Sequence, residues 1–82
     1  MAKKKKQIVV LDRGFVYVGT VALTKDWCTI TNAQNIRRWG TTRGLGQLAQ
    51  EGPQPNTVLD PAGTVRAPMR AVIAMIDCTG WK

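Results

Sequence analysis

The residues best suited to bind a ligand lie within one stretch of twelve, positions 35–46. This stretch contains three arginines, one tryptophan, two threonines and three glycines. A glycine-bearing turn that leads into a helix offers free backbone N–H groups and the positive end of the helix dipole, which attract anions. Arginine adds a two-pronged donor for phosphate, and tryptophan adds a flat face for a base. We therefore predict a site for a phosphate-bearing ligand, formed by Arg37, Arg38, Trp39, Thr41, Thr42 and Arg43.

The glycines of this stretch do not reproduce a known nucleotide-binding motif. A Walker loop needs Gly-Lys followed by Ser or Thr, and a dinucleotide fingerprint spaces its glycines differently. The plainer interpretation is that Trp39 packs in the core, that Thr42 only caps a helix and that the arginines are solvated. On a strand, Arg37 and Trp39 share one face and Arg38 takes the other, so the three side chains do not all converge. Both interpretations stay open.

Four residues outside this stretch are further candidates for a binding face. Arg66 and Arg70 lie near the start of the last predicted strand, and they join the arginines at 37–43 in one basic concave face if the sheet closes. The alternative is that they discourage edge-to-edge aggregation. Trp27 and Trp81 can serve as stacking platforms, but a tryptophan in a small domain more often fills a gap in the core. We expect the packing role for Trp27, and for Trp81 the two roles are equally open.

The positive charge is divided between the N-terminal end and the rest of the chain. Twelve Lys and Arg residues against five Asp and Glu residues give a net charge of +7. Removing the four consecutive lysines leaves eight against five, so the rest of the chain carries about +3. We predict that residues 1–6 form a disordered basic tail and residues 7–82 a single small domain. The tail is either a solvated segment or an arm that contacts nucleic-acid phosphates through Lys3, Lys4, Lys5 and Lys6.

The residue types that most catalytic and metal sites require are missing or isolated. The chain has no histidine, and its two cysteines, Cys28 and Cys78, lie fifty positions apart. No two of its five acidic residues are spaced for acid–base work or metal binding. We therefore predict no catalytic residue, no metal and no cofactor, we expect the protein not to be an enzyme, and we expect both cysteines in the core. No apolar stretch approaches the ~20 residues that span a bilayer, so we predict no membrane partner.

The first half of the chain is rich in strand-forming residues. Residues 7–11 and 15–23 are β-branched, apolar and aromatic, and the short turn between them predicts a hairpin. Gly19 inside the second run predicts a bulge or a sharp bend. Two more short strands are predicted at 27–31 and 36–39, with a break between them. The loop lengths make all of these strands antiparallel.

Hydrophobic periodicity changes to that of a helix after residue 42. Leu45, Leu48 and Ala49 are spaced as on one helix face, and Thr42 is a candidate N-cap. Gly52 is followed by proline, which predicts the end of a short helix there.

The last third of the chain predicts an arm and a strand. Residues 53–68 contain all four prolines, with a type I turn predicted at 60–63, and form a long irregular loop that is either functional or grips a neighbouring subunit. Residues 69–78 alternate with apolar side chains on both faces, which is typical of a strand covered on both sides. A chain of this size has few residues with which to cover both faces of the strand, so we predict that a second copy covers one of them in a homo-oligomer. The alternative is that the short helix covers the second face.

One known family shares a pattern with this chain. Residues 33–39, Ala-Gln-Asn-Ile-Arg-Arg-Trp, and 44–52, Gly-Leu-Gly-Gln-Leu-Ala-Gln-Glu-Gly, resemble a family of small, functionally uncharacterised phage and prophage proteins. The positions that match are Val18, Gly19, Asn32, Ala33, Ile36, Trp39, Leu45, Leu48, Ala49 and Gly52. The chain departs from that family in having Arg37 or Arg38 where a further aromatic is frequent, and in its Thr-Thr-Arg-Gly turn. The resemblance implies a viral origin and carries over no catalytic residue.

Together these observations predict an α+β domain that is mostly β. It is a bent antiparallel sheet, or an SH3-like partial barrel, with one short helix and a long Pro-rich loop. The function we predict first is a phage-type accessory protein, non-enzymatic and homo-oligomeric, that binds a nucleotide or a host nucleotide immune signal. The alternatives are a nucleic-acid-binding protein that uses the lysine tail and the arginine face, and a virion or assembly component. The expected location is the cytoplasm of a bacterial host, with the virion as the alternative.

Overall fold

The computed structural model describes residues 5–81 as one open sheet of five antiparallel strands with one short helix. The strand order is β4–β3–β2–β1–β5. The elements, in chain order, are β1 (Lys5–Leu11), β2 (Val16–Leu23), β3 (Trp27–Arg38), α1 (Leu45–Glu51), β4 (Val58–Pro68) and β5 (Val72–Asp77). The prediction of a mostly β, bent antiparallel sheet with one short helix is confirmed. Within these residues, no helix has the length and apolarity needed to cross a membrane.

The central strands are buried on both faces. On one face, Ile8 and Val18 pack against Leu48 of α1 and against Trp81. On the other face, the next residue of β1, Val9, packs in a second cluster with residues of β2, β3 and β4. Each fully buried aliphatic side chain contributes roughly 1.5–3 kcal/mol to stability. Strands β1 and β2 therefore carry the core, and the outer strands are left with one exposed face.

Close backbone packing holds the C-terminal segment against α1. The N–H of Gly80 donates to the carbonyl oxygen of Ala49 at 3.2 Å. A Cβ atom at position 80 would lie 1.6 Å from the carbonyl oxygen of Gln50, so only glycine fits there. This approach places the Trp81 ring in the core, where it is 7% exposed. Of the two roles left open for Trp81, the structure shows packing.

Strand β3 is one continuous strand of twelve residues, whereas two short strands were predicted there. The predicted break is a bulge, since the pairing register with β4 shifts between Ile30 and Ala33 and Asn32 has a φ of 52°. The neighbouring strand is irregular at the same point, as predicted for Gly19, since its pairing register with β3 shifts between Val18 and Thr20. A Cβ atom on that glycine would lie 2.6 Å from Cγ2 of Ile30 and 2.8 Å from a backbone oxygen. A bulge keeps the strands paired while it redirects the chain.

The prediction of a long Pro-rich loop at 53–68 is wrong, because most of that segment is strand β4. Irregular backbone is confined to 52–57, and Pro61 pairs with Gln34 of β3 inside the ladder. The predicted turn at 60–63 is likewise part of the strand. Proline is tolerated here because β4 is an edge strand, and one side of an edge strand needs no N–H donors.

The last strand is shorter and more exposed than predicted. A 3-10 turn occupies Met69–Ala71, and β5 begins at Val72. It forms the other edge of the sheet, and Ile73 is 65% exposed. Ile76 packs against the cluster that contains α1, and Val72 and Met75 pack against the cluster on the opposite face, so each face of β5 is partly covered within the chain. The homo-oligomer stays a prediction.

The predicted tail and the first strand overlap. Strand β1 begins at Lys5, so Lys5 and Lys6 belong to the sheet and pair with Val21 and Thr20 of β2. Placing them in a disordered tail is therefore wrong. The remainder of the predicted tail, with Lys3 and Lys4, lies outside the described residues.

Candidate functional site

Two groups of arginine and tryptophan residues lie at opposite ends of the β3–β4 pair. We call residues 37–43 the loop cluster, and we call the Trp27 patch the group made of Lys25, Trp27, Arg66 and Arg70. The register pairs Trp27 with Pro68 at one end and Arg38 with Val58 at the other. Strand residues advance about 3.3 Å each, which puts the two ends roughly 30 Å apart once the bulges are allowed for. The longest dimension of the molecule is 35 Å.

This separation corrects the predicted basic concave face. The sheet is open, and β4 pairs with β3 along its whole length. That pairing holds Arg66 opposite Thr29, and Arg70 follows two residues after the end of β4. The prediction that Arg66 and Arg70 join the arginines at 37–43 is therefore wrong.

Two of the three arginines in the loop cluster are neutralised by carboxylates. The Nε of Arg37 lies 2.9 Å from Oδ2 of Asp60, and its second guanidinium nitrogen donates to Oδ1. Arg43 forms an ion pair with Glu51 at the end of α1. A phosphate that bound here would have to displace these partners or sit beside their negative charge.

The hydrogen-bond donors of the loop are also occupied. The Thr41 hydroxyl donates to the carbonyl oxygen of Gly44 at 2.7 Å. The side-chain oxygen of Gln47 accepts the Thr42 hydroxyl at 3.3 Å and the N–H groups of Thr42 and Arg43 at 3.2 and 2.9 Å. Gly44, and not Thr42, precedes the helix, and it makes no side-chain cap. The N–H and hydroxyl groups of Thr42 and Arg43 that were predicted to bind an anion thus bind the side-chain oxygen of Gln47.

Arg38 and Trp39 are the members of the loop cluster that face solvent without such partners. Trp39 is 43% exposed, so it is not the core residue of the plainer interpretation. Arg38 is exposed, has no carboxylate partner within residues 5–81, and lines a surface hollow of about 300 Å³ with Arg37 and Val58. These two residues therefore remain available at this end of β3.

The Trp27 patch has a different character, because its aromatic ring and its cations are all exposed. Trp27 is 50% exposed, and the expectation that it fills a core gap is wrong. Trp27 lines two hollows of about 510 and 470 Å³. Arg70 and Lys25 line the first, and Arg66 lines the second. None of these three cations has an ion-pair partner in the described part of the chain.

Strand alternation and a closed turn position these side chains. Cys28 is buried in the core, so its neighbours on β3, Trp27 and Thr29, point to the outside. Ala67 is buried in the same cluster, which turns Arg66 outward beside Thr29. The turn before β3 is closed by Thr24, whose hydroxyl accepts the Trp27 N–H at 3.0 Å.

A backbone contact joins the two parts of the patch. The carbonyl oxygen of Asp26 accepts the N–H of Met69 at 2.9 Å, which ties the β2–β3 turn to the 3-10 turn that carries Arg70. Asp26 also lines the first hollow, next to the patch, and is the acidic residue there. The second hollow, with Thr24, Trp27, Thr29 and Arg66, has cationic and hydroxyl groups and no carboxylate.

The cysteines have the properties of core residues. Cys28 is fully buried, and Cys78 packs against the cluster on the opposite face. Burial raises the pKa of both the Cys28 and the Cys78 thiols, which disfavours the reactive thiolate at neutral pH. Within residues 5–81, no group of three His, Cys, Asp or Glu side chains is placed to hold a metal ion.

The sequence analysis assigned Trp27 to the core, and it did not identify Lys25 as a candidate site residue. The pattern contained the information for Trp27, because its alternation placed Trp27, Thr29 and Thr31 on the face opposite Cys28 and Ile30. The exposure of that face depends on which parts of the sheet other elements cover, which no local pattern reveals. Comparison of the chain with family models, with curated proteins and with solved structures found no match. The resemblance to small phage proteins therefore stays a prediction.

Proposed function

We propose that this protein is a non-enzymatic binding protein for a ligand that carries bases and phosphates, and that the Trp27 patch is its binding site. One observation carries the proposal: a half-exposed tryptophan is surrounded by three cations that have no ion-pair partner among the described residues. A base stacks on an aromatic face with about 1–3 kcal/mol, and the attached phosphate is attracted by lysine and arginine. The two hollows beside the ring leave room for such a ligand.

The loop cluster is the weaker candidate because of its internal partners. An exposed ion pair costs only about 0–1 kcal/mol to break. Breaking it, however, leaves the carboxylate of Asp60 or Glu51 beside the incoming phosphate, and like charges repel. The unpaired cations of the Trp27 patch carry no such penalty, except near Asp26. This difference favours the second hollow, beside Arg66, for the phosphate.

The test is titration of a fluorescently labelled thymidine trinucleotide at low salt, with affinity read from fluorescence anisotropy. Replacing Trp27 by Ala is expected to weaken binding about fivefold to more than a hundredfold, because one stacked base is lost. Trp27→Phe keeps an aromatic face and is expected to retain most of the affinity.

The matched control removes an unpaired cation at the other end of the sheet. Arg13 lies in the β1–β2 turn with a φ of 67°, and asparagine tolerates that backbone conformation, so Arg13→Asn changes charge without strain. Its affinity is expected to stay near that of the wild type. Unchanged affinity in Trp27→Ala would overturn the proposal. Binding that survives in Trp27→Ala and disappears in Arg37→Ala/Arg43→Ala would instead locate a nucleotide site in the loop cluster.

A second proposal concerns self-association through the free edge of β5. Residues 72–76 of this strand contain no charged residue and no proline, and Ile73 is exposed. The opposite edge, β4, carries Pro61 and Arg66, which discourage strand addition. We propose that a second copy of the chain pairs with β5.

Sedimentation across a range of protein concentrations tests this self-association. The wild type is expected to form a discrete oligomer, and Ile73→Lys is expected to shift it to the monomer. A wild-type protein that sediments as a monomer at every concentration would contradict the proposed pairing. Its failure would leave the proposal for the Trp27 patch unaffected, because no residue of the patch belongs to β5.

A further inference from the structure

We infer that the ligand of the Trp27 patch is a single-stranded nucleic acid, and that it runs along the β3–β4 pair to a second contact at Arg38 and Trp39. This inference rests on the proposed function, since it extends the same site from one nucleotide unit to a polymer. It assigns a role to the exposed end of the loop cluster, which the Trp27 patch alone leaves unexplained.

The distribution of unpaired cations marks the path. In the described chain, Lys5, Arg37 and Arg43 are in ion pairs, and Lys6 lies 5.1 Å from the centre of the Trp81 ring. Five cations remain, and only Arg13 belongs neither to β3 or β4 nor to a turn that adjoins them, since it lies in the β1–β2 turn. The other four lie at the two ends of one strand pair: Lys25, Arg66 and Arg70 at one end, and Arg38 at the other.

The surface between the two ends does not repel a phosphate chain. The exposed side chains along it include the hydroxyls of Thr31 and Thr64. Asp60 is the acidic residue within β3 and β4, and its carboxylate is paired with Arg37. The ion pair that weakens the loop cluster as an anion site therefore has a second effect. It compensates the negative charge of Asp60, which lies near the Arg38 end of the path.

The length of the path fits a short polymer. A stacked strand advances about 3.4 Å per nucleotide, and an unstacked one roughly twice as far, so roughly 30 Å spans roughly four to nine nucleotides. Known single-strand sites cover about 4–16 nucleotides. Each end presents one half-exposed tryptophan, Trp27 or Trp39. A tryptophan stacks on the face of an unpaired base, and a duplex hides those faces, so a single strand is the form that fits.

The test is a length series of oligothymidylates with three, six, nine and twelve nucleotides, measured by anisotropy at constant salt. Wild-type affinity is expected to rise roughly tenfold between three and nine nucleotides, as the second contact is reached. Replacing Arg38 and Trp39 together by alanine is expected to abolish that rise. The control Arg13→Asn removes one positive charge outside the path and is expected to keep the rise.

The outcomes separate this inference from the proposed function. A wild-type affinity that does not change with length, with Trp27→Ala still defective on the trinucleotide, would overturn the inference and leave the proposed function standing. A rise that persists in Arg38→Ala/Trp39→Ala would overturn it as well. Tighter binding of a duplex of the same length would overturn the choice of a single strand. Failure to bind at every length would overturn both proposals.

Discussion

The two ends of the β3–β4 pair contain similar residues and offer different surfaces. Each end has an exposed tryptophan and arginine side chains nearby. In the loop cluster, Arg37 and Arg43 are held by Asp60 and Glu51. At the Trp27 patch, the cations have no ion-pair partner in the described chain. The stretch with the densest arginines is thus the one whose charge is mostly compensated.

The comparison shows that the ion-pair partners of the arginines matter more for phosphate binding than the number of arginines in one stretch. Asp60 lies twenty-three residues after Arg37 in the sequence, and strand pairing brings the two together. No acidic residue is brought to Arg66 in the same way, because its cross-strand neighbour is Thr29. Pairing across the sheet therefore decides which arginines can attract a phosphate.

The largest effect is expected from two double variants, each of which removes two arginines from one end of the strand pair. Arg66→Ala/Arg70→Ala is expected to weaken binding of the nonanucleotide roughly thirtyfold and to reduce the slope of log affinity against log salt by about 1.4, since each phosphate contact contributes about 0.7. Arg37→Ala/Arg43→Ala removes the same charge and is expected to change the slope by much less. Equal slopes in the two double variants, measured over a salt titration, would contradict the comparison.

A carboxylate added opposite Arg66 should make the Trp27 patch resemble the loop cluster. Thr29→Glu places an acid at the cross-strand position of Arg66 and is expected to weaken trinucleotide binding roughly tenfold, by pairing the arginine and repelling phosphate. Thr29→Gln has nearly the same shape without the charge and serves as the control. A glutamate variant that binds as well as the glutamine variant would show that Arg66 takes no part.

The reverse change should release an arginine of the loop cluster. Asp60→Asn removes the partner of Arg37, and the freed guanidinium lies beside the proposed path. We expect roughly threefold tighter binding of the nonanucleotide, because one more cation faces the phosphates. The trinucleotide, which occupies the Trp27 patch, is expected to gain little. Anisotropy titration of both lengths measures the difference, and an equal gain for both would point to a general charge effect.

The smallest effect concerns stability. Glu51→Gln removes the ion-pair partner of Arg43, and both side chains are exposed to solvent. We therefore expect the free energy of unfolding to fall by less than about 1 kcal/mol in urea denaturation. A larger loss would mean that the ion pair holds α1 against the loop. The loop cluster would then serve mainly to stabilise the fold.

Local patterns predicted the parts of this fold that depend on neighbouring residues. The first hairpin, the irregularity at Gly19 and the end of α1 at Gly52 were all predicted from residue type and spacing. The N–H of Gly52 donates to the carbonyl oxygen of Leu48, and its φ of 82° suits glycine. Such features are decided within a few residues, so one sequence is enough to show them.

Strand β4 and the site could not be predicted in the same way. Pro61 and Gly63 argue for a loop on local grounds, and only the pairing with the whole of β3 makes that segment a strand. Trp27 lies on β3, an internal strand, and it is exposed because the described elements leave its end of that face uncovered, which is a property of the tertiary structure. Residue types and alternation specified which side chains share a face. Long-range pairing decided which face meets solvent and which charges keep a partner, because contacts between distant residues form only when the whole sheet assembles.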